Sequence, residues 1–137
     1  MILTQVNYLA VLAGGFLAMF VGSLWYGPLF GKVWMKLSGF GKKDMDKAKD
    51  MGMGKIYFAA FVGALVMSFA VANIVKFAQA ANLLEGIVAG GIAWLVVANV
   101  LLGNVLWEGK PVKLYLIHAS HYLVLIVGMA VIHTLWV

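Results

Sequence analysis

Apolar residues fall into four long runs, at about 3–26, 56–78, 83–107 and 113–136, and the charged residues lie almost entirely between them. A helix needs roughly 20 apolar residues to cross a bilayer, so each run predicts one spanning helix. The first run has no basic flank and is too long for a cleavable leader, so it is expected to stay as a span. The segment 27–55 has its own pattern. Leu29, Phe30, Val33, Trp34 and Leu37 recur at helical spacing while Lys32 and Lys36 stand four apart. This predicts a short amphipathic helix over about 29–38, lying flat among lipid headgroups with its lysines snorkelling. Gly39 and Gly41 are expected to close it, and the alternating charges of Lys42–Asp50 fit a solvated helical turn. Trp25, Tyr26, Trp34 and Trp107 are expected at the membrane interfaces, where amphipathic rings settle. Gly27-Pro28 is expected to end the first span, because proline has no N–H to donate.

Composition supports lipid as the solvent. Hydrophobic residues make up 64% of the chain and charged residues 11%, against roughly 25% charged in soluble domains. Cysteine is absent, which excludes thiolate catalysis, disulfide exchange and cysteine metal sites. All basic residues are lysines, and the net charge is +5. Because these lysines sit between apolar runs, they point to membrane topology and not to nucleic acid.

The lysines divide unequally. Lys32, Lys36, Lys42, Lys43, Lys47, Lys49 and Lys55 lie in the first loop, and Lys110 and Lys113 in the third; the opposite side has only Lys76. The positive-inside rule then places loops one and three in the cytoplasm and both termini outside. The expected fold is an all-α membrane protein forming one domain, with four transmembrane helices as two out–in–out hairpins and the amphipathic helix in the first loop.

LWYGPLFGKVWMK at 24–36, Asn7-Tyr8 and LWEGK at 106–110 together resemble a family of short bacterial four-span membrane proteins, the domain-of-unknown-function family seventeen-sixty-one. The resemblance covers nearly the whole chain. It implies a multi-pass protein of the bacterial cytoplasmic membrane and carries no activity with it. Where members often have Asn-Ala-Gly-Tyr early in the last span, this chain has HASH at 118–121. An internal repeat is also suggested by LWYG (24–27) with LWEG (106–109), and by KIYFAA (55–60) with KLYLIH (113–118). The alternative is that both pairs reflect what any helix shows at an inner interface.

Small residues line three of the spans: Ala10, Gly14, Ala18 and Gly22; Ala60, Ala64, Ser68 and Ala72; Gly86 and Gly90. Such stripes let helices approach closely in lipid. They serve packing within the bundle or a subunit interface, and a spare stripe would suit a homodimer.

Polar side chains inside spans are functional candidates. Counting depth along the hairpin of helices three and four sets Asn99 opposite His121 and Asn104 near His118, with Glu108 one turn beyond. The expected site is therefore a polar cluster of Asn99, Asn104, Glu108, His118 and His121. It either braces the two helices, at about 0.6–2 kcal/mol per hydrogen bond, or forms a pocket. A metal would need a third ligand beyond the two histidines, and all three histidines lie on one helix, so neither metal nor haem is expected. Lys76 and Glu85 are positioned to pair across the second loop.

No Ser-His-Asp set, H-E-x-x-H motif or Gly-rich phosphate loop is present, so no enzyme and no cofactor are expected. The leading expectation is a self-associating scaffold or accessory subunit, with anionic lipid at the basic loop. The alternative is a small-molecule or ion transporter using the helix-three/helix-four pocket.

Overall fold

The computed structural model describes residues 5–137, and these are almost wholly helical. Helix α1 spans Tyr8–Leu24 and runs into a π-helical segment, Trp25–Leu29. There follow α2 (Gly31–Ser38), α3 (Lys42–Met51), α4 (Met53–Phe77), α5 (Leu83–Leu106) and α6 (Val112–Leu135). Among the described residues, four helices are long and apolar enough to cross a membrane: Tyr8–Leu29, Met53–Phe77, Leu83–Leu106 and Val112–Leu135.

Helix starts are fixed by side chains that accept the backbone N–H groups left free in a first turn. Asn7 Oδ1 accepts from Leu9 N at 3.0 Å and Ala10 N at 3.2 Å. Asn82 Oδ1 accepts from Glu85 N at 3.0 Å, and Glu85 Oε2 reaches back to Ala81 N at 2.7 Å. The expected Lys76–Glu85 pair is therefore replaced by a cap. A carboxylate in the first turn satisfies backbone donors and meets the positive end of the helix dipole.

Helix α6 is the hub and packs on α1, α4 and α5, while α5 leans mainly on α6. Met129 and Ser68 are fully buried at the centre. The α1–α4 contact closes through Gly14 over Ser68 and Gly15 over Leu65. On α5, a Cβ at Gly90 would lie 2.9 Å from the Ala130 Cβ, and one at Gly86 would lie 2.6 Å from the Thr134 hydroxyl. At Gly90 the neighbouring backbone itself is in the way, with the Val127 Cα at 2.9 Å, and at Gly86 the obstacle is the buried Thr134 side chain. The small-residue stripes are thus used largely within the chain, except at Ala18, Gly22 and Ala60, which are not fully buried.

The stretch 24–31 departs from expectation. Gly27-Pro28 does not end the helix. The chain widens by one residue per turn, and Phe30 N donates to Trp25 O, five residues back, at 2.9 Å. Proline brings no N–H, so an α register would leave the Leu24 carbonyl without its donor; the π register steps over the gap. The helix stops at Phe30, with φ −125° and ψ 8°. Trp25 and Tyr26 are half-buried and hydrogen-bond to α6. Trp107 is 89% exposed. Trp34, half-buried on α2, packs against Tyr26 and Phe40 with ring centroids at 5.4 and 5.1 Å.

Helix α2 presents Val33, Trp34 and Leu37 to the bundle and Lys32, Met35 and Lys36 outward. Gly39, at φ +75°, ends it in the left-handed region. Helix α3 is exposed along almost its whole length.

Candidate functional site

The inward turn of the π segment builds an aromatic wall. Trp25 Nε1 donates to Ile117 O at 3.0 Å and lies 3.3 Å from Ser120 Oγ. The Tyr26 hydroxyl and His118 Nδ1 are 2.6 Å apart. Behind them stands His121, only 7% exposed. Its ring centroid is 5.1 Å from that of Tyr26, 6.4 Å from Trp25 and 4.7 Å from Tyr122. Among the described residues, neither His121 nitrogen has a hydrogen-bond partner. Buried polar atoms are nearly always paired, so a ring with two such atoms calls for an explanation.

His121 lines a cavity of about 760 Å³ between α1, α4 and α6. Ala18, Gly22, Ser23 and Tyr26 form one side, Tyr57, Ala60, Gly63 and Ala64 another, and His121, Tyr122 and Leu125 the third. Its size is that of a small-molecule pocket, about 300–1,000 Å³. No charged side chain lines it.

The expected cluster is therefore split. Asn104, Glu108 and His118 do share a recess, of about 200 Å³, together with Ser38, Lys110 and Tyr115. His121 belongs to the larger cavity. Asn99 belongs to neither and lies exposed on the outer face of α5, so the Asn99–His121 contact does not form. The reason is rotation about the helix axis. Trp94 faces α6 and donates from Nε1 to Ala119 O at 2.7 Å. Five residues on, at about 100° each, Asn99 is turned roughly 140° away from that face. Depth along a helix was a sound guide to level, but not to direction.

Sequence reasoning missed Tyr57, Tyr122 and Gly63 as cavity residues. The available signal was tyrosines and glycines within the apolar runs, which also fit ordinary helix packing. A second polar group lies near the chain termini. His133 Nε2 is 3.0 Å from Ser68 Oγ, and Asn73 donates to Phe69 O at 3.0 Å while its own Oδ1 is unpartnered. His133 also borders a 480 Å³ cavity with Asn7, Lys76 and Gln79.

Fold and site together define a helical protein of the multi-pass membrane type, with a buried imidazole beside an uncharged intrabundle cavity. The family model described as "Protein of unknown function (DUF1761)" matches residues 9–134, and the chain belongs to that family. Comparison with curated proteins and with solved structures found no match.

Proposed function

We propose that the protein is a non-catalytic membrane carrier that binds a small molecule within the α1/α4/α6 cavity. The observation carrying this reading is His121, nine-tenths buried against the cavity with both nitrogens unpartnered. The transport alternative drawn from sequence thereby moves from the α5/α6 hairpin to the opposite face of α6. Native mass spectrometry of the gently extracted protein tests it. A bound mass is expected in the wild type and is lost in Gly63→Phe. A Cβ at Gly63 meets no atom within 4 Å, so a side chain can start there without forcing the backbone. No bound mass in the wild type, or an equal one in the variant, defeats the proposal.

The loop end of the bundle is assigned to the cytoplasmic side of a bacterial inner membrane, with both termini outside. Ser38 of the first loop and Lys110 of the third border one recess, while Asn7 Nδ2 donates to Trp136 O at 3.5 Å at the other end. Nine lysines thus stand against Lys76 alone, the asymmetry that orients membrane helices. A membrane-impermeant amine reagent should leave Lys43 unmodified in intact cells and modify it in inverted vesicles; the reverse result would turn the molecule over.

A second reading, self-association, is favoured by one observation. Asn99 projects from an apolar outer face of α5, where an amide in hydrocarbon needs a partner.

A further inference from the structure

The seam between α1 and α4 is closed at one end and open at the other. Towards the termini, Gly14 lies on Ser68 and the Phe16 and Phe61 rings are 5.1 Å apart. Small residues continue towards the loop end, yet there the helices stay apart. A Cβ at Gly22 would meet only His121 Nε2, at 3.9 Å. Small side chains that do not draw two backbones together leave a slot between them, the cavity lined by Gly22, Ala60 and Gly63. The slot opens sideways, because Tyr57, Ala60 and Gly63 are exposed along α4. Gly63 is ten residues into α4, roughly 15 Å along the helix, so the opening reaches hydrocarbon depth.

Three properties then select an occupant. It arrives from lipid, so it is lipid-soluble. It carries no charge, because no lysine or carboxylate lines the slot and an unpaired charge at that depth is costly. It bears a hydrogen-bonding atom for His121, whose neutral ring offers one N–H donor and one acceptor nitrogen. The rings of Tyr26 and Tyr122 meet His121 edge-on, and an aromatic wall of this kind packs well against a planar ring.

Resting on the carrier reading above, we infer that the slot takes a planar, uncharged ring carrying a carbonyl or hydroxyl oxygen, with its apolar tail left in the bilayer: the quinone and quinol class. The oxygen is held by His121, and the ring lies between the Gly22 and Gly63 walls. Both redox forms are accommodated, since the imidazole donates to a carbonyl and accepts from a hydroxyl.

The probe is a decyl-substituted benzoquinone, titrated into the detergent-purified full chain while the melting temperature is followed. A ligand that binds only the folded state raises Tm saturably. The wild type should show such a rise. His121→Leu should raise the half-saturating concentration about tenfold, the equivalent of one hydrogen bond, and His121→Gln, which keeps a donor and an acceptor, should recover most of it. Decylbenzene, which lacks the ring oxygens, and decyltrimethylammonium, which is charged, should give no saturable rise. Equal half-saturation in wild type and His121→Leu, or a decylbenzene response matching the quinone, overturns the inference. A missing quinone response alongside a bound mass still sensitive to Gly63→Phe removes the ligand class and leaves the cavity. A bound mass insensitive to that variant removes both.

Discussion

His121 is a group whose cost to the folded protein is visible and whose benefit must come from elsewhere. Two ring nitrogens are buried without partners. Each unsatisfied buried group costs about 1–3 kcal/mol, so the ring without a partner lowers the stability of the fold. Leucine has a similar volume and no polar atom. We therefore expect His121→Leu, with no ligand added, to melt at a higher temperature than the wild type, with the gain in stability about 1–3 kcal/mol. Thermal unfolding of the delipidated protein in detergent measures it. A lower Tm for the leucine variant would mean that the imidazole is already partnered and that the ring is a brace. His118 is the contrast: its Nδ1 is committed to the Tyr26 hydroxyl, so its ordinary role is to hold the aromatic wall. The histidines were visible in the sequence as polar residues inside a span; which of them was paired depended on neighbours ninety positions away.

At the level of elements, what could be read from sequence divides along a physical line. Helix existence and length follow from hydropathy, which is a property of the chain itself, and the four long helices coincide with the four apolar runs, passing their ends by no more than three residues. Facing is a property of two elements at once. The 29–38 pattern was legible because its lysines separate the two sides, and α2 turns Val33, Trp34 and Leu37 to the bundle. The patterns of α5 and α6 were not, because both helices are apolar all round and no polar stripe marks an outside. The π segment shows a further limit. Proline was read as a stop, but a helix in lipid can keep its backbone bonded by changing register. That change carries a requirement two residues later: a Cβ on Gly31 would lie 2.7 Å from the Tyr26 carbonyl oxygen. LWYGPLFG is thus one device. Its proline selects the wide turn, its last glycine lets the chain fold back, and the Trp-Tyr pair is aimed at α6 as a result.

For the whole molecule, the decisive asymmetry is between α6, which is packed on by three spans, and α5, which rests mainly on one. The outer face of α5 shows Val88, Ile92, Val96 and Val100 to the surroundings, and Asn99 is set among them. Apolar side chains there need no partner, since lipid serves them as well as protein does. The amide differs: it lies seven residues from the end of the helix at Leu106, about 10 Å in, where water is scarce. A two-fold pairing would bring each Asn99 to its counterpart, and because an amide donates and accepts at once, a second copy of the chain would satisfy both. The absence of cysteine makes the test direct. Asn99→Cys introduces a single thiol, and mild oxidation in the native membrane should link two 14.8 kDa chains. Phe58→Cys, on the exposed side of α4, should not link them. Asn99→Leu should weaken the dimer in a dilution series by about 3- to 30-fold, the worth of about 0.6–2 kcal/mol for a hydrogen bond between spans. If the two thiols link at the same rate, the outer face of α5 meets lipid alone and the amide is met by a lipid headgroup or by water drawn into the bilayer.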